Sequence, residues 1–101
     1  MRRLLILNLI LLSSFAYADE VRAKEITRAV MLSNSCAGCH GTDGKSPGAM
    51  PSINGKSAQF ISRALIEFRE GKREATVMGR HAAGYSDDEI QLIADYFSTL
   101  P

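Results

Sequence analysis

Residues 36–40 have the sequence CAGCH, in which Cys36 and Cys39 are followed directly by His40. Side chains three or four positions apart lie on one side of a helical turn, so all three residues can face the same way. Two thiols with this spacing can reach the two vinyl groups at one edge of a porphyrin, and the adjacent imidazole can point at its iron. The stretch therefore predicts the covalent attachment site of one c-type haem.

Two other kinds of site use similar residues. A thioredoxin-like dithiol has the same cysteine spacing but lies in a βαβ unit, which this sequence lacks. A structural zinc site needs four ligands, which Cys36, Cys39, His40 and His81 could supply. A plain disulfide would leave His40 without a role. We favour haem and keep the zinc site and the redox dithiol as alternatives.

The composition is that of one small globular domain. The chain has 101 residues, of which 46% are hydrophobic and 23% are charged. Removing Arg2 and Arg3 from the 12 basic residues leaves 10 against 11 acidic ones, a balance of −1. This balance does not favour binding to nucleic acid. A domain of this size usually needs a disulfide, a metal or a cofactor to be stable.

Residues 1–18 have the pattern of a secretory signal peptide. Arg2 and Arg3 are followed by an apolar run over Leu4–Leu12, and Ala16 and Ala18 are small residues at the positions that a signal peptidase reads. The run is shorter than the roughly 20 apolar residues of a membrane-spanning helix. We expect cleavage after Ala18, a periplasmic location, and a mature chain of residues 19–101 that is not inserted in a membrane.

Three segments have the apolar spacing of amphipathic helices. The first is Glu20–Leu32, which we expect to end at residues 33–35, where the sequence is SNS. The second is Ser57–Glu70. The third begins at Ser86, which forms a capping box with Glu89. No segment alternates with period two, so the sequence predicts an all-α fold.

Two long loops, residues 41–55 and 72–85, separate these helices. The first loop contains four glycines and two prolines, and the second is polar with two glycines. Loops of this length are uncommon in a small domain unless they have a function. Wrapping around a large flat cofactor would explain both loops.

The second axial ligand of the iron would come from the second loop. Met78 is the best candidate, since a thioether there could bind the iron on the side opposite His40. His81 is the rival ligand, although an exposed surface histidine is its ordinary interpretation. We expect Met31 to fill the core and Met50 to pack on the haem. With both axial positions filled, the iron is limited to one-electron exchange.

Taken together, these motifs resemble the class I c-type cytochromes over essentially the whole mature chain. The resemblance implies the small cytochrome c fold, with three main helices and long loops around one covalent haem c, as a single domain over residues 19–101. It also implies that the Pro51 carbonyl accepts the N–H of His40. The matching stretches are CAGCHG at 36–41, PSING at 51–55, Met78, and ADYF at 94–97 in the terminal helix.

The stretches FREGKR at 68–73, TVMGR at 76–80 and GYS at 84–86 give a narrower similarity, to the cytochrome subunits of flavocytochrome c sulfide dehydrogenase. It implies a periplasmic carrier that accepts electrons from an FAD-containing flavoprotein and does not itself catalyse sulfide oxidation. Some subunits of that family carry two haem motifs, whereas this sequence has one.

Two other functions remain open for the same residues. A free-standing, diffusible carrier would use the same haem ligands without a permanent partner. A haem enzyme, such as a small peroxidase, would need an open distal site with His81 or Arg80 as its acid–base group.

Overall fold

The computed structural model describes residues 2–101, and Met1 of the predicted signal peptide lies outside the described residues. Within residues 2–101 the chain forms helices and loops and has no strand, so the all-α prediction is confirmed. The elements are α1 (Arg2–His40), a 3₁₀ turn (Thr42–Gly44), α2 (Ala58–Arg69), α3 (Met78–Ala83) and α4 (Asp87–Ser98).

Helix α1 continues through residues 33–35, so the predicted break at that point is wrong. Serine and asparagine are weak helix formers, but tertiary packing overrides such preferences. Ala29, Ser33, Cys36 and His40 follow one another at helical spacing and form the stripe of α1 that is buried or half-buried. Because this stripe packs towards α4, the helix extends to the end of the CAGCH motif.

The N-terminal part of α1 makes no contribution to the core. Every residue from 2 to 28 is exposed. By length and composition α1 is apolar enough to cross a membrane, and a signal sequence near an N-terminus has the same properties. The helix runs past Ala18 without interruption, and cleavage at that point stays a prediction.

Helices α2 and α4 have well-defined caps, of which the sequence predicted the one at Ser86. Ser57 caps α2 by accepting a hydrogen bond from the Phe60 amide at 3.1 Å. At the other end, Gly71 adopts a φ of 73°, and its amide donates to the Phe68 carbonyl at 3.2 Å in a Schellman-type turn. At the start of α4, Ser86 and Glu89 form the complete capping box.

The second predicted loop is partly helical. Residues 72–77 are irregular, but α3 occupies Met78–Ala83, so the loop prediction is wrong for its C-terminal half. Glycines at 79 and 84 made the segment resemble a loop. The decisive factor is non-local, because Ala82 is completely buried where α3 packs against α2.

The core is small and is centred on α4. Ile90, Ile93 and Phe97 are its largest fully buried side chains, and Phe97 is only 1% exposed. Ile61 of α2 packs against the Ile93–Phe97 part of this cluster, as does Leu32 of α1. Helix α4 thus holds α1 and α2 in place and leaves a cavity bounded by α1, the first loop, α2 and α3.

Candidate functional site

The central feature of the structure is a cavity of about 480 Å³. This volume is typical of small-molecule and cofactor sites. One wall is an apolar face of α2, which the sequence analysis did not identify as part of the site. The sequence does indicate this wall, since the apolar stripe of α2 is broader than contact with one neighbouring helix requires. The α2 residues that line the cavity are Phe60, Ile61, Ala64, Leu65 and Phe68.

The C-terminal end of α1 brings the two cysteines and the histidine of the CAGCH motif to this cavity. Cys36, Cys39 and His40 line it, and the two cysteines are not joined in a disulfide. Cys36 is half-buried and Cys39 is exposed, so the pair lies at the rim. Burial raises the pKa of the Cys36 thiol. Residues 2–101 form no βαβ unit, which disfavours the thioredoxin-like alternative.

His40 is oriented by a hydrogen bond to the first loop. Its Nδ1 lies 2.6 Å from the carbonyl oxygen of Pro51. Because a carbonyl oxygen can only accept, Nδ1 carries the proton and Nε2 keeps a free lone pair. Histidines that bind a metal through Nε2 usually have Nδ1 held by a hydrogen bond of this kind.

The loop that carries Pro51 is tied to the core by backbone hydrogen bonds. The Ile53 amide donates to the Gly44 carbonyl at 2.9 Å, and the Gly55 amide donates to the Phe97 carbonyl at 3.0 Å. Gly44 is itself buried against Phe97 and Ile53. The position of the Pro51 carbonyl therefore depends on how the loop packs on the C-terminal end of α4.

Among residues 2–101, Met50 and Met78 line the cavity and Met31 does not. Met78 is half-buried, begins α3 and lines the same cavity as His40. His81 lines it too, three positions further along α3. Met50 also lines the cavity and is adjacent to Pro51 on the loop that holds His40. The prediction for Met31 is wrong, because this side chain is 69% exposed on a face of α1 that turns away from α4.

Polar contacts surround the cavity at its edges. Arg73 forms an ion pair with Glu67 at 2.9 Å, and its guanidinium lies over the Phe68 ring. At the corner between α1 and α4, Tyr85 shares a hydrogen bond of 3.0 Å with Ser35. These contacts connect the elements that line the cavity.

The residues fit a covalent haem better than a zinc ion. Among residues 2–101, no three His, Cys, Asp or Glu side chains come together as a metal cluster, so His81 does not complete a four-ligand site with the CAGCH residues. Two thiols, an imidazole with a free Nε2 and a thioether instead face one largely apolar cavity. This donor set matches the two thioether bonds and the His–Met axial ligands of haem c.

Comparison with known proteins gives a consistent result. A family model described as Cytochrome c matches residues 25–101. A cytochrome subunit of sulfide dehydrogenase from Chlorobaculum tepidum is 60% identical over 74 residues, which cover 73% of this chain and 67% of that protein.

Two more distant relatives differ in length. A thiosulfate dehydrogenase electron acceptor from Stutzerimonas stutzeri is 39% identical over 82% of this chain, but the match covers only 41% of that protein. A cytochrome c-553 from Helicobacter pylori is 31% identical over 88% of this chain and 92% of its own length. The chain thus corresponds to a part of some relatives and to nearly the whole of others.

Proposed function

The chain belongs to the cytochrome c family, which binds haem c covalently and transfers electrons, and we propose that it accepts electrons from a flavoprotein sulfide dehydrogenase in the periplasm. The observation that carries this proposal is the convergence of Cys36, Cys39, His40 and Met78 on one cavity. The similarity to the Chlorobaculum subunit supports the choice of electron donor.

Each site residue has a distinct role in this proposal. Cys36 and Cys39 would hold the haem through thioether bonds, and Nε2 of His40 would hold its iron. The Pro51 carbonyl holds the His40 ring in orientation and increases its basicity through the hydrogen bond to Nδ1. The Met78 thioether would also hold the iron. Haem c would supply reversible one-electron exchange.

The electron donor would approach the edge at which Cys39 is exposed. Little protein covers the cavity there, so the distance between two redox centres is shortest at this edge. We expect a small interface, as is common for transient electron-transfer complexes. The partner is an FAD-containing flavoprotein whose flavin carries out the sulfide chemistry, and this chain is its electron-transfer subunit and not the catalyst.

A free-standing carrier is the second candidate. It is favoured by the cytochrome c-553 match, which extends over 92% of a relative of similar length. Both candidates share the haem site and differ in whether the partner stays bound. A haem enzyme with an open distal site is a third possibility, and it requires that Met78 leave the iron free.

Residues 1–18 are proposed to be removed on export, with cleavage after Ala18. The support is that the exposed segment 2–28 makes no core contact, so cleavage costs the domain no buried surface. The mature chain would then remain in the periplasm without membrane insertion. The intact mass of protein isolated from the periplasm measures this directly, and a chain that retains residues 2–18 would contradict it.

Covalent haem is the first thing to test. The chain should be produced in a host that matures c-type cytochromes, and a haem stain of a denaturing gel should show that haem stays with the wild-type polypeptide. The Cys36→Ala/Cys39→Ala variant should lose the stain, whereas Asn34→Ala, which changes an exposed neighbour outside the cavity, should keep it. A folded, colourless wild-type protein would refute the proposal.

The donor is tested by mixing the oxidised protein with a purified flavoprotein sulfide dehydrogenase subunit and sulfide. Haem reduction should be fast with the flavoprotein and slow with sulfide alone. Coelution of the two proteins on gel filtration supports a permanent subunit, and fast reduction without coelution supports the diffusible carrier. Rapid binding of carbon monoxide to the untreated reduced protein would instead support the haem enzyme.

A further inference from the structure

His81 has a position in the structure that the proposed electron-transfer role does not explain. It lies on α3 three positions after Met78, and side chains with this spacing are neighbours on one face of a helix. Both side chains line the cavity that His40 also lines. His81 and the adjacent Arg80 are both exposed, but only His81 lines the cavity.

The His81 imidazole is not engaged elsewhere. Among residues 2–101, its side chain makes none of the side-chain hydrogen bonds and none of the ion pairs. Its backbone amide only continues the helix, donating to the Val77 carbonyl at 3.3 Å. A histidine that lines a cofactor cavity with both ring nitrogens free is available as a metal ligand.

The helix that carries both residues is short, and only one of its residues is buried. Helix α3 has six residues, and its N-cap, Val77, makes no side-chain capping hydrogen bond. Isolated helices of this length are not stable in water and depend on tertiary contacts. The buried contact of α3 is Ala82, a single small side chain. For His81 to reach the place that Met78 occupies, α3 would have to move by less than one helical turn, which is about 5.4 Å.

We propose that His81 is a reserve axial ligand, which binds the haem iron when Met78 does not. The inference rests on the proposed haem site with His40 and Met78 as ligands. In the exchange, the bond from the Met78 sulfur to iron breaks and a bond from a neutral His81 ring nitrogen to iron forms. No electron or proton is transferred, so no co-reactant is needed.

The exchange has two consequences. An imidazole in place of the thioether lowers the reduction potential, because thioether ligation raises it. It also keeps the iron closed to external ligands while Met78 is displaced. Met50 is less suited to this role, because its neighbour Pro51 holds the opposite ligand, His40.

The test compares three variants of the full haem-loaded protein: Met78→Ala, Met78→Ala/His81→Ala and the matched control Met78→Ala/Arg80→Ala. The first and third should stay six-coordinate and low-spin by absorption and electron paramagnetic resonance, with a lowered reduction potential. The Met78→Ala/His81→Ala variant should be high-spin. If His81 is bound to the iron in at least about 90% of the molecules, carbon monoxide should bind the first and third variants at least about tenfold more weakly than it binds Met78→Ala/His81→Ala.

Two results would overturn the inference. A high-spin Met78→Ala variant that binds carbon monoxide as readily as Met78→Ala/His81→Ala would show that His81 does not reach the iron. A low-spin Met78→Ala/His81→Ala variant would show that another side chain is the reserve ligand. If the alanine variants do not fold, the same comparison is made in a Met78→Leu background, since leucine keeps the volume and cannot bind iron.

Failure of the underlying site is distinguishable from failure of the inference. If the wild-type oxidised protein lacks the thioether–iron charge-transfer band, and Met78→Ala has the wild-type spectrum, then Met78 is not the ligand and both proposals on the axial pair fail. If the band is present in the wild type and Met78→Ala is high-spin, only the reserve role of His81 fails.

Discussion

Two glycines with the same backbone conformation should respond very differently to alanine. Gly44 and Gly71 have φ values of 75° and 73°. A Cβ atom at Gly44 would lie 2.8 Å from Ile53 Cγ1 and 2.9 Å from Phe97 Cδ1, whereas at Gly71 it would meet nothing within 4 Å. Because Phe97 is buried in the core, moving its ring away would disturb the packing there.

The two costs can be separated on this basis. Either alanine pays about 1–2 kcal/mol for the left-handed conformation. Gly44→Ala adds an overpacking cost of about 1–3 kcal/mol, so its total is about 2–5 kcal/mol. Gly71→Ala therefore serves as the control for backbone strain, and the difference between the variants measures the steric cost alone.

The assay is guanidinium unfolding of the haem-loaded mature protein, followed by far-UV circular dichroism and by haem absorbance. Thermal unfolding gives a second measure, since 1 kcal/mol shifts the Tm of a domain this small by about 4–8 °C. Gly44→Ala should also disturb the haem spectrum, because the Gly44 carbonyl anchors the loop that carries Pro51. Equal stability losses in the two variants would refute the reasoning.

Three further predictions concern caps and a hydrogen bond. Ser86→Ala should lower the free energy of unfolding by about 1 kcal/mol in guanidinium titrations, because the N-cap of α4 is lost; an unchanged midpoint would contradict this. The backbone hydrogen bond from Ser86 lowers the pKa of Glu89 below its usual 4.5. The ionised form therefore stabilises the fold above about pH 4.5, and the advantage of the wild type over Glu89→Gln should disappear as pH falls below that value; a pH-independent difference would argue against it. Tyr85→Phe removes the 3.0 Å hydrogen bond with Ser35 and should lower the free energy of unfolding by about 0.5–1.5 kcal/mol, measured by thermal unfolding. A Tm equal to that of the wild type in both Tyr85→Phe and Ser35→Ala would contradict this.

Some errors of the sequence analysis share one physical cause. Local signals at residues 33–35 and at Gly79 indicated irregular structure, yet both segments are helical. In each case the segment contains a buried small residue, Ser33 or Ala82, and its helix packs against another helix. Propensities of a few tenths of a kcal/mol per residue do not decide a segment that gains such contacts.

Met31 and the α2 wall show a related limit. An apolar residue can be assigned to a helix from sequence, but the face that becomes buried depends on where the next helix lies. Met31 is exposed because α4 covers a different stripe of α1, and the apolar face of α2 is partly exposed because it lines the cavity. Periodicity predicts that a stripe exists and does not identify what it will contact.

What the sequence alone determined was local chemistry. The spacing of Cys36, Cys39 and His40 and the capping box at Ser86 involve residues within one or two helical turns, so short-range geometry specifies them. Tertiary structure decided the rest. The Pro51 carbonyl reaches His40 across 11 positions only because the first loop is bonded to the end of α4, and α3 brings Met78 to the same cavity only because it packs on α2. Contacts of this kind depend on the free energy of the whole packed core, which no short stretch of sequence contains.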